Sequence, residues 1–111
     1  MIRVIGSNLC GTCGKALAIL EQHDQPFSFH DYLKTPLSSD EIRALLKQLG
    51  LSPQELVRKR EANKVGLTGQ ESEDELIDMM ASNGRLIQRP IVVRDGVAIV
   101  ARPADTLLEW L

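Results

Sequence analysis

The sequence predicts an α/β protein with a four-stranded sheet of mixed strand direction and a block of helices between its two β-containing halves. The N-terminal part follows a β-α-β order, which is typical of two parallel strands joined by a helix. The C-terminal part reads β-β-α around an Asp-Gly dipeptide, which is a strong signal for an antiparallel hairpin. Between them, the apolar residues recur at helical spacing.

The N-terminal half begins with a short strand over residues 2–5, which is nearly all apolar and therefore expected to be covered on both faces. A helix follows the cysteine pair and is expected to end near Asp24. Pro26 then begins a second extended segment over residues 27–32, in which aromatic and polar side chains alternate with period two. This segment is the expected parallel partner of the first strand.

The middle of the chain predicts three helices. Residues 38–41 have the spacing of a capping box, with Ser first and Glu three residues later, and Gly50 is the expected end of that helix. A second helix is expected to begin at Ser52-Pro53 and to continue through Arg60. A second capping box at residues 72–75 begins the third helix, which Asn83-Gly84 should end.

The C-terminal half predicts a hairpin and a last helix. A strand over residues 89–93 begins with Arg-Pro, and Asp95-Gly96 turns the chain into an antiparallel strand over residues 97–101. Arg102-Pro103 is expected to open the last helix. Its buried side should carry Leu107, Leu108 and Leu111.

Length and composition predict one domain covering residues 1–111, with the helical insertion at about residues 38–84. The net charge of −2 gives no electrostatic argument for binding nucleic acid or anionic membranes. No stretch is long enough to span a bilayer, and the N-terminus lacks a basic-then-apolar signal segment, so we expect a cytoplasmic protein. In that reducing compartment a Cys-x-x-Cys pair favours catalysis over a structural disulfide.

The sequence centres on Cys10-Gly11-Thr12-Cys13, which lies between the first strand and the first helix. Backbone N–H groups and the dipole at a helix N-terminus favour a thiolate, which is the reactive form of cysteine. A zinc site would need further ligands, and His23 and His30 are the only histidines, so no metal is expected. Two buried structural cysteines are the other alternative. Redox or nucleophilic chemistry is the favoured interpretation.

Energetics indicate that such a thiolate needs a cation beside it. An unperturbed cysteine, with a pKa near 8.5, is roughly 3% ionised at pH 7. Lowering the pKa by two units requires about 2.7 kcal/mol, whereas a helix dipole supplies about 2 kcal/mol at best. The arginines that precede prolines, Arg89 and Arg102, are the best candidates, because proline restricts the backbone before it and so directs the side chain.

These residues together resemble the thioredoxin fold and, within it, the glutaredoxin-coupled arsenate reductases and their Spx-type relatives. The resemblance covers essentially the whole chain. It depends on Cys10, Asp31-Tyr32-Leu33 with Pro36, Leu56-Val57-Arg58-Lys59, Leu76-Ile77-Asp78, Arg89-Pro90-Ile91-Val92-Val93 and Arg102-Pro103.

The resemblance implies an oxidoreductase in which Cys10 attacks arsenate or a similar small oxyanion. Arg58, Arg89 and Arg102 would bind the oxyanion, together with the helix start at Gly11 and Thr12. From its position, Cys13 is predicted to be a resolving thiol, because it lies one turn inside the helix and should be less exposed than Cys10; glutathione could also supply the second thiol. Glutaredoxin or thioredoxin would regenerate the enzyme, with no cofactor bound to the protein. The resemblance also implies that the Arg89–Pro90 peptide bond is cis.

Two departures from the reductase pattern leave alternatives open. Residues 6–9 read Gly-Ser-Asn-Leu where these reductases typically have His-Asn-Pro before the cysteine, and Cys13 replaces their usual serine. A Cys-x-x-Cys pair is instead carried by Spx-type regulators, which would use a Cys10–Cys13 disulfide as a switch and RNA polymerase as a partner. Arg102-Pro103 favours the reductases over these regulators. A general thiol–disulfide reductase is the third alternative.

Overall fold

The structure, a computed structural model, describes residues 2–7 and 11–111. Among these residues there is no helix both long and apolar enough to cross a membrane. The elements in chain order are β1 Ile2–Gly6, α1 Gly11–Gln22, β2 Phe27–Asp31, α2 Ser39–Leu49, α3 Pro53–Leu56, α4 Lys59–Lys64, α5 Glu73–Ser82, a 3₁₀ turn Gly84–Leu86, β3 Ile91–Arg94, β4 Val97–Val100 and α6 Thr106–Trp110.

The four strands form one sheet in the order β2-β1-β3-β4. β1 runs parallel to β2 and antiparallel to β3, and β3 pairs antiparallel with β4. The β3–β4 turn places Asp95 and Gly96 at φ angles of 51° and 78°, the left-handed conformation that an Asp-Gly hairpin requires. The predicted α/β class and the mixed four-stranded sheet are therefore confirmed.

The chain divides into two compact units, and the first comprises Met1–Thr35 and Arg89–Leu111. This unit contains the sheet, α1 and α6. Its apolar core comprises Ile2, Val4, Ala16, Leu20, Val92, Ala101, Ala104 and Leu107. The Arg94 guanidinium lies 4.3 Å from the centroid of the Trp110 ring and donates a 2.8 Å hydrogen bond to the Trp110 carbonyl, so it holds the end of α6 against the hairpin.

The second unit is Pro36–Gln88, in which α2 and α3 pack against α5. Both predicted capping boxes are confirmed, because the side chains of Ser38 and Ser72 accept the N–H groups of Glu41 and Glu75, whose carboxylates bond back. Gly50 ends α2 at a φ of 69°, as predicted. The prediction of one domain with an insertion at about residues 38–84 stays a prediction.

The predicted continuous helix from Ser52-Pro53 through Arg60 is wrong, because the chain extends at Val57 and Arg58 between α3 and α4. Val57 forms an antiparallel bridge with Ile87. The Arg58 N–H donates to the Leu86 carbonyl at 2.7 Å. Backbone pairing within this unit therefore outweighs the local helical preference of the segment.

The last helix also differs from its prediction. It begins at Thr106 and not at Arg102-Pro103, because residues 103–106 first form a turn in which the Thr106 N–H donates to the Pro103 carbonyl. Leu107 is fully buried, whereas Leu108 is 50% exposed. Adjacent residues of a helix do not share a face, so Leu107 and Leu108 could not both be buried on one side.

Candidate functional site

The predicted site centres on the start of α1. Gly11 is the first residue of the helix and is exposed, Thr12 is half-buried, and Cys13 is buried with 1% exposure. Cys10, the predicted nucleophile, lies outside the described residues. The lower exposure of Cys13 relative to Cys10 stays a prediction.

The sulfur of Cys13 lies directly over the last residue of β1. A Cβ atom added at Gly6 would be 2.7 Å from the Cys13 Sγ, closer than real Cβ contacts come. The same Cβ atom would be 3.5 Å from the Phe29 ring, an ordinary contact. Glycine at position 6 therefore leaves the space that the Cys13 sulfur occupies, and a side chain there would force the sulfur or the backbone to move.

Arg102 connects the first turn of α1 with the segment that precedes β3. Its Nη1 atom donates to the Thr12 Oγ1 at 3.3 Å and to the Arg89 backbone carbonyl at 3.3 Å. Arg102 itself is exposed. Three of the predicted substrate-binding residues, Thr12, Arg89 and Arg102, are thus brought together by hydrogen bonds.

The side chain of Arg89 is held from its other side by Tyr32. The Arg89 Nη1 donates to the Tyr32 hydroxyl at 3.1 Å, and the Arg89 Nε is buried. The Arg89–Pro90 peptide bond is cis, so that prediction is confirmed; the Arg102–Pro103 bond, for which no such prediction was made, is also cis. The hydrogen bond to Tyr32 and the burial of Nε show that the Arg89 side chain is held by the protein and is not freely solvated.

Sequence reasoning missed two residues of this region, Tyr32 and Gly6. Tyr32 is 1% exposed, and its backbone N–H donates to the Gly6 carbonyl at 3.1 Å. The only signal for Tyr32 was its place in the Asp31-Tyr32-Leu33 motif of the resemblance. For Gly6, the signal was a glycine at the end of an apolar strand, which often marks a close approach.

Arg58 belongs to the second unit, where it is half-buried and precedes α4, so its contribution to oxyanion binding stays a prediction. His30 lies on β2, with Nδ1 2.7 Å from the Arg3 Nη2 and Nε2 2.7 Å from the Thr35 carbonyl. A guanidinium can only donate and a carbonyl can only accept, so Nδ1 accepts and Nε2 donates.

Within residues 2–7 and 11–111, no three or more His, Cys, Asp or Glu side chains are arranged to hold a metal ion. The chemistry that this arrangement can support is the binding of a small anion at the N-terminus of α1, next in sequence to a cysteine. The Arg102 guanidinium lies at this helix start, and Arg89 is connected to it through its backbone carbonyl.

Comparison with known protein families identifies the relatives of this chain. The model of the ArsC family matches residues 5–110. The chain belongs to the ArsC family. An arsenate reductase of Escherichia coli K12 is 32% identical over 113 residues, which cover 99% of this chain and 80% of that protein. An uncharacterized protein of Streptomyces viridochromogenes is 33% identical over 109 residues, which cover 92% of each chain.

A solved structure of an arsenate reductase supports the same assignment. The arsenate reductase of Vibrio cholerae superposes with a TM-score of 0.88 at 32% identity, covering 99% of this chain and 97% of that one. The thioredoxin-like fold and the membership of the arsenate reductase family that the resemblance implied are both confirmed.

Proposed function

We propose that this protein is a thiol-dependent oxidoreductase of the arsenate reductase type. Two observations support the proposal: the similarity of the chain to arsenate reductases, and the hydrogen bonds of Arg102 at the start of α1. Arg102 bonds both Thr12, on the first turn of α1, and the carbonyl of Arg89. Two of the arginines assigned to oxyanion binding therefore share one network at the helix start that follows Cys10 in sequence.

In the proposed reaction, the Cys10 thiolate attacks arsenate, an S–As bond forms, and one arsenate oxygen leaves as water after protonation. Arg89 and Arg102 would neutralise the charge of the adduct. A second thiol, from glutathione or Cys13, then attacks the Cys10 sulfur and forms a disulfide. The S–As bonding pair stays on arsenic, which is thereby reduced from As(V) to As(III) as two thiols are oxidised. Glutaredoxin or thioredoxin would reduce the disulfide by thiol exchange.

The two thiols have different expected roles in this scheme. Because Cys13 is buried against Gly6, an external arsenate cannot reach its sulfur without a local rearrangement. Cys10→Ser should therefore abolish turnover, whereas Cys13→Ser should keep the formation of the first adduct. If Cys13 is the second thiol, Cys13→Ser should also make turnover strictly dependent on added glutathione.

A coupled assay tests the proposal by following arsenate-dependent NADPH oxidation with glutathione, glutathione reductase and glutaredoxin. Arg89→Ala and Arg102→Ala should each lower kcat/KM about 10- to 100-fold, the effect expected for losing a charge-assisted contact. Arg60→Ala removes an exposed arginine on α4 and should match the wild type. Turnover that survives in Cys10→Ser, or an equal loss in all three arginine variants, would contradict the proposal.

A further inference from the structure

A buried tyrosine hydroxyl contacts one of the arginines of the candidate site. Tyr32 is 1% exposed, and its hydroxyl accepts a 3.1 Å hydrogen bond from the Arg89 Nη1. We infer that Tyr32 is a positioning residue whose hydroxyl holds the Arg89 guanidinium in the orientation that binds a tetrahedral oxyanion. This inference depends on the proposed function, because it concerns the same anion site.

The shape of the arginine side chain makes its orientation important for anion binding. A guanidinium is a planar fork, and it binds a tetrahedral oxyanion best when two of its N–H groups face the anion together. Arg89 has a buried Nε, and Tyr32 binds one of its two terminal nitrogens. The burial and the hydrogen bond both restrict the movement of the guanidinium, so the side chain should lose less freedom when an anion binds.

Tyr32 is itself fixed well enough to act as a support. Its ring is buried, and its backbone N–H donates to the carbonyl of Gly6, the last residue of β1. The hydroxyl therefore has a defined position relative to the strand that leads to the Cys-x-x-Cys motif. A long, solvated side chain could not supply the same restraint.

The contacts also continue from Arg89 to the helix. The Arg89 carbonyl accepts a bond from Arg102, and Arg102 bonds Thr12 on the first turn of α1. Tyr32 thus stands at the buried end of a connected set of residues, in which Arg89 contacts Tyr32 through its side chain and Arg102 through its backbone carbonyl. Its effect on an anion should pass through Arg89, without a contact of its own to the substrate.

Tyr32→Phe tests this inference, because phenylalanine keeps the ring and removes only the hydroxyl. We expect sulfate, measured by isothermal titration as an unreactive tetrahedral anion, to bind about five- to tenfold more weakly, a loss within the usual net contribution of one hydrogen bond. In the coupled assay the KM for arsenate should rise more than kcat falls. Ser39→Ala, which loses a hydrogen bond to Asp78 in the second unit, controls for a general loss of stability and should bind sulfate like the wild type.

A double-mutant cycle distinguishes positioning from packing. If Tyr32 acts through Arg89, Tyr32→Phe should change sulfate binding less than about twofold in an Arg89→Lys background. An equal loss in both backgrounds, or wild-type affinity in Tyr32→Phe alone, would overturn the inference and leave the proposed function intact. A wild-type protein that binds neither sulfate nor arsenate would overturn both, and that result is seen before any variant is made.

If Tyr32→Phe does not fold, a fluorine label on Tyr32 tests the inference in the otherwise wild-type protein. Tyr32 is the only tyrosine of the chain, so 3-fluorotyrosine gives a single ¹⁹F signal from this position. In the otherwise wild-type protein this signal should shift as sulfate is added, and the shift should be lost in Arg89→Lys. A signal that does not respond to saturating sulfate would overturn the inference.

Discussion

The contact between Gly6 and Cys13 predicts an unusual response to a very small substitution. In Gly6→Ala the new methyl group would lie 2.7 Å from the Cys13 Sγ, so the sulfur or the start of α1 must move. Overpacking of this kind costs about 1–3 kcal/mol, and the lower entropy of the unfolded alanine chain returns about 0.4–1 kcal/mol. The free energy of unfolding should therefore fall by about 1–2 kcal/mol.

The same substitution should be harmless once the sulfur is removed. In a Cys13→Ala background the nearest remaining atoms, the Cβ of residue 13 and the Phe29 ring, are 3.5 Å away, which is ordinary van der Waals contact. Gly6→Ala should then be neutral or stabilise by up to about 1 kcal/mol through the unfolded state. The two positions should therefore show a coupling energy of about 1–3 kcal/mol.

Urea unfolding under reducing conditions measures these differences. The single tryptophan, Trp110, packs against the core of the first unit and reports on it by fluorescence. Gly14→Ala is the matched control, because a Cβ atom there has no neighbour within 4 Å and a helix interior favours alanine by about 1 kcal/mol. If Gly6→Ala costs the same free energy with and without the sulfur, the steric reasoning is wrong.

Two further predictions concern stability. Arg94→Ala removes the stacking on Trp110 and the hydrogen bond to its carbonyl, so the free energy of unfolding should fall by about 1–2 kcal/mol. Far-UV circular dichroism measures the unfolding, and a fall of less than about 0.5 kcal/mol would contradict this prediction. The backbone N–H of Thr68 is the main cause that holds the pKa of Glu71 below its ordinary value of 4.5. The stability from this carboxylate is thus complete above about pH 4.5 and is lost as the pH falls through the lower folded-state pKa. Glu71→Gln should be less stable than the wild type at pH 7 and approach it in acid, and a difference independent of pH would refute this reasoning.

The sequence predicted those elements whose determinants are local. The capping boxes at Ser38 and Ser72 place serine and glutamate three residues apart, so both partners of each bond are visible in one short stretch. The break after Leu56 has no such signal. It depends on pairing between Arg58 and Leu86, which are distant along the chain and adjacent only in the folded unit.

The candidate site shows the same division. Arg89 and Arg102 were predicted from the prolines that follow them and from the resemblance, and hydrogen bonds connect them. The contact of Tyr32 with Arg89 could not be predicted, because it depends on how the end of β2 lies relative to the segment before β3. The roles of all the candidate site residues stay predictions, namely those of Cys10, Gly11, Thr12, Cys13, Arg58, Arg89 and Arg102.

Arg102 lies where it could supply the positive charge that a reactive Cys10 thiolate needs. Although Arg102 is exposed, its side chain bonds a backbone carbonyl, that of Arg89. This carbonyl lies two residues before β3, whose register with β1 is set by pairs such as Ile91 with Ile5. The sheet therefore places the acceptor of Arg102, and salt should weaken this placement less than it weakens an exposed ion pair. Since one guanidinium near an acid lowers its pKa by about 1–3 units, an arginine at the first turn of α1 would supply what the helix dipole lacks.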